Sequence, residues 1–519
     1  MYWERFQTWA KTHARLISYV TASLLVSLWT LLRFYTARTI FDLVGQQVLA
    51  GQWLHGNVSG SVVGVTNYLP KIFFLYMPLH VLPGSPRLKL IALTLVVNIA
   101  TIVLLGLVLE RLLRLYKIRV GGALWAAVLW LSAIAGSVFW IQFTNSRNLE
   151  VVGGLLLLYL GLRYLEAPSN KALMIIAAYC SVLFFADTLQ LYMTGLPLLL
   201  YAAIVWRKTL WKQVLTLGLA LAVGFIGSKV LFFLFSHALH IQFQQVGGSG
   251  LTLGAVGSSI TNAAKALVHL YAGGADAGKL REVVNVAFLA LGFAGVAYGL
   301  WRKLVSRAVV GLVSCVLFVD IAAYIASGQA QQAGTERYLI MTVPAVMLLL
   351  ASLQVVWQNF RYLAVSALGI VLLVNFVQLG GQTVNANHHF VQDAHLESVS
   401  RYADNNQDVL LYASNDTAIS LTYLHDADQH DPLPLRCVPG QQLQKTNLFF
   451  SKTAYTKREQ VNVRQIGIVL DGTAITNVPN VCAEQLVEQQ LGLPVAHGYT
   501  DDNSVVLLYP STVQAKLHY

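Results

Sequence analysis

Two neighbouring segments decide the fold class, EVVGGLLLLYLGLRYLE (150–166) and KALMIIAAYCSVLFFAD (171–187). Each is a mostly apolar run of about 17 residues, which is the shortest length with which an α-helix crosses the hydrocarbon core of a bilayer. Only the residues APSN separate the two runs. The pattern therefore predicts two antiparallel transmembrane helices joined by a short loop.

Similar apolar runs recur along most of the chain. With 56% hydrophobic and 11% charged residues, the composition excludes a water-soluble enzyme and a disordered chain, because soluble proteins carry about 25% charged residues. We predict a polytopic α-helical membrane protein with about 11 transmembrane helices, at 16–35, 88–110, 121–142, 150–166, 171–187, 190–206, 214–236, 283–300, 308–327, 338–356 and 362–380.

The basic residues predict the orientation of these spans. Clusters of Lys and Arg fall in alternate loops, and the residues that flank cytoplasmic ends of helices are usually basic. We therefore expect a multi-pass protein of the plasma (inner) membrane with a cytoplasmic amino terminus and an outer carboxyl terminus. Because loop orientation explains the net charge of +11, we expect membrane lipids and no nucleic acid as partners.

Two outer loops interrupt the pattern. The segment 68–83 is apolar but short and contains three prolines, so we predict an interfacial or re-entrant helix within the first outer loop, 36–87. The long outer loop 237–282 holds two glycine-rich pieces around an apolar-periodic stretch at 259–271, which is interpreted as a lid or as an interfacial helix.

The composition changes after residue 380, so the predicted domains are 1–380, embedded in the membrane, and 381–519, a soluble extracytoplasmic α/β domain. Strands are predicted at 408–416, 465–472 and 504–510, and helices at 393–405 and 482–491. Cys437 and Cys482 both lie in this domain, where an oxidising compartment would permit a disulfide between them.

Several ionisable residues are expected near the outer face, where each has two interpretations. Asp42 is either a general base for an acceptor hydroxyl or a helix cap or surface partner of Arg38. Arg147 and Glu150 either pair with each other or bind a phosphate and orient an acceptor or a metal. Arg337 either anchors its helix at the headgroups or binds phosphate.

Further polar residues are assigned by position. Lys71 and Tyr76 of the proline-containing segment and His55 before it are predicted to bind substrate, although an isolated histidine is more often an ordinary wall residue. Lys229 and Asp320 lie inside predicted spans, and a neutralising pair between them would lower the cost of inserting both charges.

Four motifs together resemble the GT-C superfamily of membrane glycosyltransferases, which take a sugar from a polyprenyl-phosphate donor. They are FDLVGQQVLAGQW (41–53), YLPKIFFLYMPLHVLPG (68–84), SRNLE (146–150) and ERYLIMTVPAV (336–346). The arrangement of many spans followed by an outer α/β domain is also similar. The resemblance implies that Asp42 is the catalytic acid of the first loop and that Arg147 and Arg337 hold the donor phosphate.

The function expected from this resemblance is transfer of a sugar from a polyprenyl-phosphate donor to a glycan, lipid or protein acceptor at the outer face. Asp42 and Glu150 are the expected catalytic residues. Metal-dependent members carry paired acids, but this first loop has Asp42 alone, so no metal or other cofactor is predicted, and a divalent metal would need Glu150 as well. The alternatives are a transporter or flippase for lipid-linked saccharides and a noncatalytic scaffold for the outer domain.

Overall fold

The structure is a computed structural model that describes residues 13–34, 41–58, 62–63, 69–113, 146–206, 211–243, 255–272, 279–331, 336–353, 366–374, 377, 387–424, 431–436, 443–445, 452–460, 463–470 and 484–517. The chain divides into two compact units. Unit 1 comprises Met1–Tyr35, Ile91–Leu231 and Gly247–Gly381, and unit 2 comprises Thr36–Leu90, Phe232–Val246 and Gln382–Tyr519.

Helices dominate the described chain up to residue 352. In chain order they are α1 Ala14–Phe34, α2 Phe41–Leu54, α3 Leu69–Val81, α4 Pro86–Leu113, α5 Ser146–Glu166, α6 Asn170–Ala186, α7 Leu196–Trp206, α8 Trp211–Ala238, α9 Val256–Ala272, α10 Lys279–Trp301, α11 Arg307–Ala326 and α12 Thr342–Ser352. A π-helical turn, Leu191–Gly195, precedes α7, and a 3₁₀ turn, Glu336–Leu339, precedes α12.

Four of the described helices are long and apolar enough to cross a membrane: Leu88–Leu113 within α4, and the whole of α8, α10 and α11. Large apolar side chains on three of them face outward, since Leu219, Leu291 and Phe318 are 65%, 58% and 69% exposed. Such surfaces suit lipid and not water. The helices confirm a membrane-embedded protein, whereas the number of eleven spans stays a prediction because 121–142 lies outside the described residues.

Local sequence explains where the helices of unit 1 begin and how closely they pack. Ser169 caps α6 by accepting a hydrogen bond from the backbone N–H of Ala172 at 3.2 Å. Gly224 brings α8 close to α6, because a Cβ at this position would lie 2.3 Å from the Cβ of Cys180. Small residues at such crossings are typical of helix pairs in membranes. Cys180 and Cys315 are buried free thiols.

Unit 2 contains a six-stranded sheet. The elements after residue 380 are α13 Asn387–Asn405, β3 Val409–Ser414, α14 Asn415–Leu424, β4 Leu433–Arg436, β5 Gln444–Lys445, α15 Lys452–Glu459, β6 Gln465–Val469, α16 Glu484–Leu491, β7 Ala496–Tyr499 and β8 Val505–Pro510. The strand order in the sheet is β5-β4-β3-β6-β8-β7, in which β4, β3 and β6 are parallel and the others antiparallel.

This sheet confirms the predicted α/β character of the carboxyl-terminal region. The three predicted strands are β3, β6 and β8, and the two predicted helices are α13 and α16. Leu411 and Ala413 of β3 pack with Leu396 and Val399 of α13 in a core that is buried to 2% exposure or less. Cys437 and Cys482 lie outside the described residues, so the predicted disulfide stays a prediction.

The segment predicted as the first outer loop belongs to unit 2 together with the carboxyl-terminal region, which differs from a division at residue 380 alone. Within unit 2, α2 packs against α3 and also against α14. The two short strands β1 Val62–Val63 and β2 Gln242–Phe243 pair in parallel, and this pairing ties residues 232–246 to the first loop. The predicted long loop 237–282 is therefore divided, because α9 belongs to unit 1.

Candidate functional site

Helix α2 of unit 2 buries polar side chains in an otherwise apolar sequence. Gln46, Gln47 and Gln52 are 0%, 3% and 3% exposed. Burying an amide costs free energy unless the amide is hydrogen-bonded. Both side-chain atoms of Gln46 and the Nε2 of Gln47 have no hydrogen-bond partner in the described part of the chain. Helix α2 thus buries the amide nitrogens of Gln46 and Gln47 and the amide oxygen of Gln46, none of which forms a hydrogen bond with the described residues.

Helix α3 has an unusual backbone, and it buries polar side chains while it exposes apolar ones. Its middle turn, Ile72–Tyr76, is π-helical, and such turns occur frequently at functional sites. Lys71 and Tyr76 are buried, at 6% and 0% exposure, whereas Phe74 and Val81 are 69% and 76% exposed. A helix that buries a lysine and exposes large apolar side chains fits a position at lipid. The helix itself agrees with the sequence, and its interfacial position stays a prediction.

Two contacts fix how α2 and α3 lie against each other. The Nε2 of His80 donates to the backbone carbonyl of Gln47 at 2.8 Å. The ring centroids of Phe73 and Trp53 are 5.2 Å apart. The first contact pairs the end of α3 with the first half of α2, and the second pairs an earlier part of α3 with the end of α2. The two helices are therefore antiparallel.

The glycine at position 51 lets this pair approach closely. A Cβ on Gly51 would lie 3.1 Å from Cε1 of His80, which is tighter than an ordinary van der Waals contact. A larger side chain at position 51 would push the imidazole away from α2. The histidine and the glycine together set the spacing of the hairpin that α2 and α3 form.

The antiparallel arrangement separates Asp42 from Lys71. Asp42 is the second residue of α2, and Trp53, which contacts Phe73, is eleven residues further along. At 1.5 Å per residue this is about 16 Å of helix axis. Lys71 precedes Phe73 and so lies at the far end of the hairpin, at the level where α2 ends and His55 follows. The structure does not bring Lys71 and His55 to the Asp42 end.

Another lysine lies at the end of α3 that contacts Gln47 and Gly51 of α2. The Nζ of Lys89, in the first turn of α4, donates to the backbone carbonyl of His80 at 3.1 Å. Around this contact, Val81, Leu82 and Leu88 are 76%, 56% and 57% exposed. A half-buried ammonium group thus lies next to an exposed apolar patch, as the headgroup region of a membrane would require. We call His80, Lys89, Gln46 and Gln47 the hairpin cluster.

The carboxyl-terminal domain also contacts α2. Helix α14 packs against α2, and its Ser420 is buried with no hydrogen-bond partner for Oγ among the described residues. The Nζ of Lys457, in α15, donates to the Oδ1 of Asn57 at 2.9 Å. Both contacts lie within unit 2, so the domain covers the helix that begins near Asp42.

The remaining predicted site residues lie in other places. The side chains of Asp42, Arg147 and Arg337 are outside the described part of the structure, although their backbones begin α2, begin α5 and form a 3₁₀ turn. Glu150 is 3% exposed in α5 of unit 1, where it takes part in an interaction with another group. The Nδ1 of His55 donates to the carbonyl of Gly51 at 2.8 Å, a local contact at the end of α2.

Glu150 begins a polar strip of α5 within unit 1. One turn later, a Cβ at Gly154 would lie 2.7 Å from Oγ1 of Thr194 and 3.1 Å from Oε1 of Gln190. Thr194 donates to that oxygen of Gln190 at 3.2 Å, and both residues are fully buried. These groups belong to the π-helical turn before α7 and its flank, and they pack on this side of α5 together with the apolar Met341, whose Cε would lie 2.8 Å from the same Cβ.

The pair expected between Lys229 and Asp320 is wrong. Lys229 is exposed, and its Nζ lies 5.0 Å from the ring centroid of Phe225. Asp320 is 3% exposed, and neither carboxylate oxygen has a hydrogen-bond partner in the described residues. The long lysine side chain reaches the surface instead of neutralising the acid. Near Asp320, Tyr271 donates its hydroxyl to Oγ1 of Thr342 at 3.0 Å.

A histidine, an aspartate and hydroxyl groups cluster in the carboxyl-terminal domain. The Nδ1 of His395 lies 2.7 Å from Oδ2 of Asp502 and 3.1 Å from Oγ of Ser504. A nucleophilic triad needs the serine and the acid on opposite ring nitrogens, so this geometry does not form one. Burial raises the pKa of Asp502, but hydrogen bonds from Thr500 and His395 outweigh burial and lower it to about 2. The cluster fastens α13 to the turn before β8.

The described ranges contain no group of three His, Cys, Asp or Glu side chains that would hold a metal ion. Sequence reasoning missed Lys89 and the buried glutamines. Lys89 resembles an ordinary basic residue at a helix start, but three glutamines in a 14-residue apolar helix were a visible signal.

Comparison with known protein families finds no sequence profile that matches the chain, and comparison with curated proteins finds no relative. The functional argument therefore rests on the residues themselves.

Proposed function

We propose that the protein is a membrane-embedded glycosyltransferase that takes a sugar from a polyprenyl-phosphate donor and transfers it to an acceptor hydroxyl. The observation that carries this proposal is the position of Lys89, which contacts His80 at the end of α3 that packs on α2 and is surrounded by exposed apolar side chains. We place the reaction at the outer face of the plasma (inner) membrane, with the amino terminus of the protein in the cytoplasm.

Lys89 and the apolar side chains around it suit a lipid phosphate. An ammonium group has three N–H donors, and one of those of Lys89 points to the His80 carbonyl. The others are available to phosphate oxygens, whose charge a cation stabilises. Val81, Leu82 and Leu88 offer apolar contact to the first isoprene units of the donor. A phosphate on a lipid chain needs both kinds of contact at one place.

Asp42 supplies the base. It lies four residues before Gln46 in α2, which is about 6 Å along the helix axis. In the reaction, the acceptor oxygen forms a bond to the anomeric carbon of the sugar, and the bond from that carbon to the phosphate oxygen breaks. The polyprenyl phosphate leaves with the electron pair, and Asp42 takes the proton of the acceptor hydroxyl.

The other predicted residues keep separate roles in the proposal. Arg147, Arg337 and Glu150 belong to unit 1, and the phosphate-binding and acceptor-orienting roles expected for them stay predictions from the sequence. Lys71 and Tyr76 form the buried side of α3, which fixes the helix beside α2. His55 closes the end of α2 through its contact with Gly51.

The test measures donor recognition directly. The purified protein is placed in liposomes that contain a polyprenyl phosphate or the matching polyprenol, and bound lipid is quantified after extraction. The wild type is expected to retain the phosphate and not the alcohol, and Lys89→Gln should lose this preference, whereas the exposed Lys279→Gln serves as the control. Equal retention of phosphate and alcohol by the wild type would contradict the proposal.

Transport of a lipid-linked saccharide is the second candidate function. It is favoured by Asp320, a buried carboxylate within α11 that has no partner among the described residues, because such groups often mark pathways through membrane proteins. A flippase would move a fluorescent lipid-linked sugar between leaflets without releasing polyprenyl phosphate, and a transferase would release it.

A further inference from the structure

Helices α2 and α14 pack against each other, and both bury polar atoms that form no hydrogen bond with the described residues. These atoms include Oε1 and Nε2 of Gln46, Nε2 of Gln47 and Oγ of Ser420, and all three residues are 3% exposed or less. In native proteins almost all buried polar atoms are hydrogen-bonded, to protein or to bound molecules. Such atoms on two helices that pack against each other indicate a polar ligand.

The chemistry of these atoms limits the ligand. Each amide Nε2 donates, Oε1 of Gln46 accepts, and the serine hydroxyl does both. A phosphate would use only the donors, and a metal ion would use only the oxygens. A hydroxyl group donates and accepts at once, so several neighbouring hydroxyl groups match the whole set. None of the three side chains is charged, which favours a neutral ligand.

The position of these atoms fits the acceptor. Gln46 follows Asp42 by one helical turn, and Gln47 accepts the hydrogen bond of His80, which contacts Lys89. We propose that Gln46, Gln47 and Ser420 form a binding site for the hydroxyl groups of a neutral saccharide, the acceptor of the transfer. The inference rests on the proposed function for the role of this saccharide, and it makes the carboxyl-terminal domain part of the substrate site.

The site predicts opposite effects on stability and on binding. Gln46→Leu removes amide atoms that have no protein partner, so it should leave the melting temperature of the full-length protein in detergent unchanged or raise it by about 2–4 °C. The same variant should lose saccharide binding. The control is Gln52→Leu, because Gln52 lies in the same helix and is also buried; its Nε2, like that of Gln47, forms no hydrogen bond with the described residues, but the residue takes part in an interaction with another group, which Gln46 does not. This control should lower the melting temperature and keep binding.

Binding is measured by saturation-transfer NMR with the methyl glycosides of glucose, mannose, galactose and N-acetylglucosamine. At least one glycoside is expected to show transfer with the wild type and with Gln52→Leu, and a several-fold weaker signal with Gln46→Leu and Ser420→Ala. The inference is overturned if no glycoside binds the wild type, if Gln46→Leu binds as the wild type does, or if Gln46→Leu lowers the melting temperature as Gln52→Leu does.

The binding signal needs no lipid donor, so the two proposals fail separately. A protein that binds a glycoside but does not prefer polyprenyl phosphate to polyprenol would refute the transferase and retain this site. A protein that prefers the phosphate but binds none of the glycosides would refute the site and retain the transferase.

Discussion

The imidazole Nε2 of His80 donates to the backbone carbonyl of Gln47 across a 2.8 Å contact that joins α3 to α2. The two residues are 33 positions apart in the chain. This one contact sets which end of α3 meets which end of α2. Through it, the end of α3 that Lys89 contacts, and not the end that contains Lys71, packs on Gln47 of α2.

His80→Ala should loosen the hairpin. Removing the donor leaves a carbonyl without its partner, which costs about 1–2 kcal/mol in the free energy of unfolding. We expect a lower melting temperature and faster proteolysis between α2 and α3. His55→Ala is the matched control, since its contact to Gly51 is local and its side chain is exposed. Equal melting temperatures for both variants would show that the His80 contact does not hold the hairpin.

Gly224→Ala should destabilise unit 1. The new Cβ would lie 2.3 Å from the Cβ of Cys180, so α8 must move away from α6 at a cost of about 1–3 kcal/mol. Thermal unfolding in detergent measures the effect. Gly257→Ala is the control, because nothing lies within 4 Å of the position that its new methyl group would take, and alanine favours a helix. A Gly224→Ala protein as stable as this control would contradict the close packing.

The His395–Asp502 contact should make unit 2 sensitive to acid. The pKa of Asp502 is about 2 in the folded protein, against about 3.9 for an unperturbed aspartate. The unfolded state therefore binds more protons between these values, and the stability that the carboxylate contributes is lost as the pH falls from about 4 to about 2. Melting followed by circular dichroism should show this loss in the wild type.

Asp502→Asn supplies the comparison for this pH dependence. The variant should be less stable at neutral pH and should lose less stability on acidification than the wild type, because the amide does not titrate. Asp404→Asn, an exposed aspartate at the end of α13, should behave as the wild type. The same acid dependence in Asp502→Asn would show that other groups cause it.

Lys229 and Asp320 should behave independently. Breaking a buried ion pair by removing one partner costs about 3–5 kcal/mol, whereas Lys229 lies over Phe225 at the surface. Lys229→Ala should therefore change the free energy of unfolding by less than about 1 kcal/mol. A double-mutant cycle with Asp320→Asn should give no coupling energy between the two positions. A large coupling energy would restore the predicted pair.

Features carried by short patterns could be predicted from the sequence. Apolar runs of sufficient length predicted α5, α6 and α11, and the short apolar segment with three prolines predicted the separate helix α3. Buried runs rich in branched residues gave β3, β6 and β8. In each case the residues that decide the element are neighbours in the chain, so composition and spacing contain the information.

Features that depend on distant contacts could not be predicted. The register of α2 on α3 depends on His80 and Gly51, and the sequence around these residues does not indicate that they contact each other. The predicted pair of Lys229 and Asp320 rests on the free-energy cost of placing both charges in lipid, but a lysine avoids that cost by extending its side chain to the surface. Whether the amide of Gln46 forms a hydrogen bond depends on all the side chains packed around it, and a local sequence pattern does not contain this information.

The most direct test of the transferase is the release of polyprenyl phosphate from lipid-linked sugars by wild-type protein and by Asp42→Asn, with donor retention measured on the same samples. The asparagine has nearly the same shape but does not take up a proton. We predict that the wild type releases polyprenyl phosphate and that Asp42→Asn slows release by about 100-fold or more while it retains the donor as well as the wild type. Release by Asp42→Asn at the wild-type rate would contradict the account.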